Sequence, residues 1–189
     1  MGLIKNIKLA IANRALKLEL QDSLREKTPN KFNFDKVKTV GILFDATNSE
    51  DLEIVKRYVV YLREHRKKVK AIGFFNTKEI PSLAYSKLEY DFLSAKELNW
   101  FGKPSSMVVK NFIHEDYDLL IDLNVHDHFV LKYISALSKS KFKVGKYNEK
   151  DESIYDMMID ADNTQTLKYF LRQVDIYIAM LNKVEPSLN

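Results

Sequence analysis

The chain has no cysteine in its 189 residues. That removes disulfides, thiolate metal centres and cysteine nucleophiles together, and it suits a reducing compartment, so a cytoplasmic location is expected. Glycine is scarce as well, with five in all, and two of these, Gly41 and Gly73, fall inside apolar strand-like runs. Neither GxGxxG nor GxxxxGKS/T occurs, which argues against a nucleotide held by a glycine-rich phosphate loop. There is no GxSxG elbow for a serine hydrolase. No apolar run is long enough for a bilayer span, and the N-terminus, MGLIKNIKLAIANRALKLEL, is broken by charge every few residues and lacks a small-residue cleavage site. Neither a signal peptide nor a transmembrane segment is expected. Internal repeats, low-complexity tracts and Gly/Ser-rich linkers are also missing, so one domain is expected.

What the chain does have is apolar patterning whose period changes along its length. Tyr117 to Tyr147 reads as strand, helix and strand in close succession. Leu119 to Leu123 is apolar on both faces of the pleat, as a parallel strand covered on each side must be. Lys38–Asp45 is the first predicted strand. A helix follows over residues 46–68, with Leu52, Val55, Val59 and Leu62 as its buried stripe and Thr47 with Glu50 as a capping box. Val69–Phe75 is then the second strand, completing a right-handed parallel βαβ unit. A short strand near Tyr90–Leu93, a capping box of Ser94 with Glu97 and a brief helix over Ser105–Ile113 come next. A helix near His126–Ser138, strands at Phe142–Gly145 and Ile154–Ile159, and a last helix capped by Asp162 or Asn163 complete the pattern. The expected fold class is α/β: a three-layer, Rossmann-like domain over residues 31–189 with a mainly parallel sheet of five or six strands. An N-terminal helical extension, basic and amphipathic, precedes it over residues 1–30.

Six segments taken in order, VGILFDATN, LNWFGKP, DLLIDL, ALSKSKFKVGKYNE, YDMMID and TLKYF, resemble an uncharacterised bacterial α/β family carried as a domain of unknown function. That resemblance implies a fold and no activity. Tyr117–Tyr147 is also similar to the strand, helix and strand in the N-terminal half of ADP-heptose-type lipopolysaccharide glycosyltransferases, enzymes of two-domain GT-B architecture. The likeness implies a relation to half of such an enzyme, whose second Rossmann-like half holds the nucleotide sugar. This chain has no room for that half. Phe44, Asp45, Ala46 and Thr47 also follow the first strand without the Gly-Asp turn that carries the family's acceptor-side base, so no catalytic residue is carried across.

In an open parallel sheet, ligands sit outside the carboxyl ends of the strands. The residues placed there are Asp45, Thr47 and Asn48 after the first strand. After the strand at 118–123 come Asn124, His126, Asp127 and His128, with Asp122 just inside. Asp45, Thr47, Asn48, Asn124, His126 and Asp127 are the candidate ligand-binding residues. His126 and His128 stand two apart at a helix start, unlike the four-residue spacing of a helical metal pair. Asn124 or Asp127 is a natural cap there. Capping is therefore the expected role, and neither a metal nor a cofactor is expected. Asn99 to Lys103, with Trp100 and Phe101, has the composition of an aromatic, basic turn able to stack on a sugar or base. A lone Trp beside a Pro-Gly break more commonly anchors an irregular crossover to the core, and that is the expectation for Trp100.

Net charge is +4, and residues 1–38 carry nine Lys or Arg against four acids, so the basic character belongs to the N-terminal segment. Leu3 to Glu26 is predicted to be one long helix, closed by Pro29 and Asn30. Ile4, Ile7, Ile11, Ala15 and Leu18 form one apolar stripe on it, and Leu9, Leu16 and Leu20 another on nearly the opposite side. Two stripes ask for two surfaces, one of them the protein's own. With no catalytic constellation in view, the expected function is a non-catalytic binding or assembly role. Docking would run through Lys5, Lys8, Leu9, Arg14, Leu16, Lys17 and Leu20 to a protein, a second copy, a ribonucleoprotein or an anionic membrane surface. The alternative is a sugar-nucleotide-binding or glycosyltransferase-like enzyme using the strand-end cluster.

Overall fold

Strands and helices alternate through much of the chain, so the strands pair in parallel and the helices fall on the two faces of one sheet. The computed structural model describes residues 2–21, 32–81, 90–161 and 166–183. The strands are β1 (Thr39–Asp45), β2 (Lys68–Phe75), β3 (Tyr90–Ser94), β4 (Leu119–Leu123), β5 (Phe142–Lys146) and β6 (Met157–Ile159). The helices are α1 (Gly2–Gln21), α2 (Ser49–Glu64), α3 (Met107–His114), α4 (Phe129–Leu137) and α5 (Leu167–Lys183). All neighbouring strands are parallel, in the order β3-β2-β1-β4-β5-β6. This is the doubly wound order, in which the winding reverses between β1 and β4. Order alone says nothing about activity.

Alternation of the pleat decides which residues meet which helices. Val40, Ile42 and Phe44 of β1, with Leu119 and Ile121 of β4, share one core with α2 and α5. Leu43, Ile72 and Leu120 point the other way into a second core with α3, α4 and Leu16 of α1. The central strands are buried on both sides, which is why β4 is apolar on both faces of the pleat except at Asp122, itself buried. Close approach of rings also needs glycine in the strands, most tightly in β5: a Cβ on Gly145 would lie 2.5 Å from the Tyr155 ring.

Two buried charges are absorbed by backbone. Lys143, 2% exposed in the middle of β5, donates to the carbonyls of Ser135 and Ala136 at 2.7 and 3.1 Å near the end of α4. A cation suits that negative helix terminus. Lys67 donates to the Phe34 and Val37 carbonyls at 2.8 and 2.7 Å.

Several local expectations change in the folded chain. The N-cap of α2 is Asn48, whose side chain accepts from the Glu50 amide. Thr47 is engaged elsewhere, its hydroxyl accepting from the Asn76 amide and tying the end of β1 to the end of β2. Ser94 and Glu97 do form the capping box. Ile154 and Tyr155 are turn residues, and β6 begins only at Met157. The Asp162 or Asn163 cap of the last helix, and residues 22–26 of the first, lie outside the described residues. Trp100 is not a core anchor: it is 62% exposed. The turn is held instead by Asn99, whose side-chain Oδ1 accepts from the Phe101 and Lys103 backbone amides, and by Gly102 at φ +96°.

Candidate functional site

The winding reversal places the end of β1 beside the end of β4, and the strand-end residues meet there. Asp45 closes β1; its Oδ1 accepts from the Thr47 amide at 2.8 Å and its Oδ2 from His128 Nε2 at 2.8 Å. Burial would raise this carboxyl, but the hydrogen bonds from His128 and Thr47 outweigh it and bring it down to about 2. Asp45 is thus a carboxylate at neutral pH, and the imidazole Nε2 is the donor. His128 is the N-cap of α4. Its position is set by Asn124, whose Oδ1 accepts from the His128 amide at 2.8 Å while Nδ2 donates to the His128 carbonyl at 2.9 Å. The edge of Phe74 packs on the ring, with centroids 5.2 Å apart.

Among the six predicted ligand residues, Asp45 and Asn124 converge on this point. Thr47 and Asn48 are exposed, Thr47 occupied by the Asn76 amide at the end of β2 and Asn48 in capping α2. His126 and Asp127 turn to solvent, Asp127 at a positive φ of 55°. His128 is the residue that reaches Asp45. Its sequence position beside His126 did not distinguish it; the helix-start geometry that points an N-cap side chain back toward the strands does.

Next to this pair a cavity of about 360 Å³ opens between the ends of β4 and β5, lined by Asp122, Asn124, Asp127, Lys132, Lys146 and Tyr155 among others. Asp122 is wholly buried and accepts from the Tyr155 hydroxyl at 2.6 Å, the Ser135 hydroxyl at 2.8 Å and the Asn124 amide at 3.1 Å. Burial pushes its pKa up against those hydrogen bonds. Lys132 bridges Asp127 and Asp151 at 3.2 and 2.9 Å, and Lys146 donates to the Val125 carbonyl at 3.3 Å. The lining is polar: Lys132 is matched by Asp127 and Asp151, Asp122 is met by neutral donors and Lys146 by a backbone carbonyl. Among the described residues no group of three or more His, Asp or Glu side chains is arranged to hold a metal ion, and no helix is long and apolar enough to cross a membrane.

The second candidate surface is α1. Ala12 and Leu16 are buried at 1 and 4%, and Leu20 is half-buried. The structure therefore exchanges the roles of the two stripes: Leu16 and Leu20 face the protein's own core. The outward row is Ile7, Ile11 and Leu18, 50, 39 and 57% exposed. Leu9, on the inner side nearer the start of the helix, is exposed as well. The reason is a polar lock seen only in three dimensions. Glu19, beside Leu16 on the inner face, accepts from Lys103 Nζ and from the Tyr133 hydroxyl, both at 2.6 Å. Lys8, Arg14 and Lys17 are exposed; the Lys5 side chain lies outside what the structure describes. With Glu19 turned inward, every described charge on the outward side of α1 is positive.

Comparison with curated proteins and with solved structures yields no match. Residues 8–181 match a family of unknown function, DUF6913. The chain belongs to that family.

Proposed function

We propose that this member of DUF6913 is a non-catalytic docking module, and that α1 is the element it docks with. The observation behind this reading is the outward row Ile7, Ile11 and Leu18, exposed on a helix whose other side is already buried in the domain. Its partner is a protein presenting an apolar groove with acidic residues at the rim. Arg14 supports that choice over a lipid surface. At 100° per residue it borders the apolar row directly, about 20° from Ile7 and about 40° from Leu18, whereas an interfacial membrane helix segregates its charges from its apolar face. Arg is among the residues enriched in the buried centre of protein interfaces. Four cations, Lys5, Lys8, Arg14 and Lys17, on a helix with no aromatic are few for a ribonucleoprotein surface, where affinity is built from many phosphate contacts.

Affinity capture with the full chain, in parallel with Ile7→Asp/Leu18→Asp and with Arg14→Glu, tests the reading. The expected result is a protein retained by the parent, insensitive to nuclease, lost with the apolar substitutions and weakened by the charge reversal and by added salt. Retention unchanged by all three substitutions overturns it, as does capture that is abolished by nuclease or reproduced by anionic vesicles alone.

A second reading keeps the strand-end cluster as a sugar-nucleotide site of a GT-B-like ancestor, and the cavity beside Asp122 and Asn124 is what favours it. It predicts thermal stabilisation by a nucleotide sugar, which the docking reading does not.

A further inference from the structure

Docking through α1 leaves the cavity between the ends of β4 and β5 without a role, and the walls of that cavity are suited to one kind of ligand. It lies outside the carboxyl ends of two neighbouring parallel strands, where an open α/β sheet takes its ligands. Its volume of about 360 Å³ is at the small end of the range for small-molecule sites. Asp122, Asp151 and Tyr155 are buried in its wall, and Asp127 stands on the solvent side. Lys132 fills the cation position between Asp127 and Asp151 at 3.2 and 2.9 Å, and Lys146 is engaged by the Val125 carbonyl at 3.3 Å. A cationic ligand would have to displace Lys132. An anionic one would meet three carboxyl groups against two lysines that are each already engaged. What the walls do offer is donors and acceptors side by side. Asn148 adds to them: its Oδ1 accepts from the Lys150 amide at 3.1 Å, which leaves its Nδ2 as a donor. Tyr147, 48% exposed, adds an aromatic ring at the edge.

We infer that this cavity is a binding site for a neutral, hydroxyl-rich ligand of the saccharide class. A hydroxyl both donates and accepts, whereas a ligand carboxylate only accepts and an ammonium only donates. Neighbouring hydroxyls of one sugar ring can therefore bond an Asp127 or Asp151 carboxylate and a Lys132 or Lys146 ammonium together, leaving the charge balance of the walls as it is. The Tyr147 ring supplies an apolar platform that the polar walls lack: an aromatic face is the negative side of its quadrupole, and it suits the C–H face of a sugar. The inference takes its cavity from the second reading above and narrows the ligand to the sugar itself, without the nucleotide. It shares no residue with α1, so the docking reading stands or falls separately.

Two-dimensional amide NMR of the full chain at neutral pH, titrated with glucose, galactose, mannose, ribose, myo-inositol and maltose, tests the inference. At least one of these should move the amides of residues 122–128 and 146–151 with a Kd on the order of 1 mM, the strength that roughly a dozen non-hydrogen atoms provide. Glucuronate and glucosamine should each bind roughly tenfold more weakly than that sugar, since each brings a charge to walls already balanced. Tyr147→Ala and Asp127→Gly should each weaken binding roughly tenfold by removing the platform and an acceptor. Both should keep the parent circular dichroism spectrum, because both side chains are exposed and a glycine takes the φ of 55° at Asp127 without strain. Amides that stay still with every sugar in the set overturn the inference, as does binding that survives both substitutions or that glucuronate matches. UDP-glucose bound at these residues while the free sugars leave them still also overturns it, and leaves the second reading in place. A free sugar bound as tightly as UDP-glucose upholds it and removes the nucleotide from that reading.

Discussion

His128 Nε2 sits 2.8 Å from Asp45 Oδ2, joining residues 83 positions apart across the reversal in strand order. This is the place where doubly wound proteins open a crevice for ligands. Here the crevice mouth is bridged by a charge-assisted hydrogen bond, with both side chains largely shielded at 19 and 12% exposure. The pair holds the loop after β4 against the end of β1. A strand-end cluster that stabilises its own closure supports the proposal that α1, and not the strand ends, is where this protein docks its partner.

Replacing Asp45 by Asn should cost about 1 to 2 kcal/mol at pH 7, taking the depressed carboxyl as a stability contribution discounted for partial solvent screening. The sign follows from a folded value of about 2 against an ordinary carboxylate value near 4. The contribution is complete above about pH 4 and disappears as pH falls toward 2. Chemical denaturation of parent and variant across pH 2 to 7 should therefore give a difference that is constant at the upper end and shrinks on acidification. Asp118, brought down to about 2 by Lys141 and the Lys38 and Thr39 amides despite some burial, leaves an acid slope in both proteins. A parent-variant gap that is independent of pH would contradict this account.

Gly145→Ala should destabilise by about 2 to 3 kcal/mol, because the new methyl would sit 2.5 Å from the Tyr155 ring, which is buried and tied through its hydroxyl to Asp122. Combining it with Tyr155→Leu should lose less than the sum of the two single changes. Strict additivity in a double-mutant cycle would show that the two residues are not in contact.

Lys143→Met keeps the length of the side chain and removes its donors from the Ser135 and Ala136 carbonyls. A loss of about 1 to 3 kcal/mol is expected, most of it from carbonyls left without a partner in the interior. The local readout is faster amide exchange near the end of α4. Exchange that rises uniformly over the whole domain instead would place the effect elsewhere.

Glu19→Ala removes the acceptor shared by Lys103 and Tyr133. The expected consequence is local: α1 loosens, with faster exchange and proteolysis between residues 2 and 21, while the denaturation midpoint of the six-stranded body hardly moves. Burial raises the Tyr133 phenol, and Glu19 raises it further, so the variant should also titrate this tyrosine at lower pH. An α1 as protected as in the parent would mean that Ala12 and Leu16 suffice to hold it.

Much of the fold was legible in the sequence because strands and helices announce themselves locally. Leu119, Leu120, Ile121 and Leu123 of β4, apolar on both faces of the pleat, required cover on both sides, and the 3.6-residue stripe of α2 required it on one. The Ser94–Glu97 box was readable for the same reason, since its two partners are three residues apart. The α2 cap was misplaced by one residue because Thr47 was drawn off by Asn76, a contact across 29 positions. Trp100 was expected inside on composition, yet the Asn99 side chain and Gly102 already close that turn without it.

The candidate sites divide along the same line. That Asp45 and Asn124 lie at strand ends was evident from strand boundaries. That they meet through His128 depends on β1 and β4 being neighbours, which no local pattern specifies.

The order of residues by itself determined the α/β class, the lack of a glycine phosphate loop and the cationic character of the first helix, since each is a property of short windows of chain. Only tertiary structure decided the pairing order of the strands, which apolar side of α1 is swallowed, and which polar side chains surround the cavity. Those outcomes rest on contacts such as Glu19 with Tyr133, 114 positions apart, where matching shape and charge between distant segments chooses among alternatives that each segment alone leaves equal.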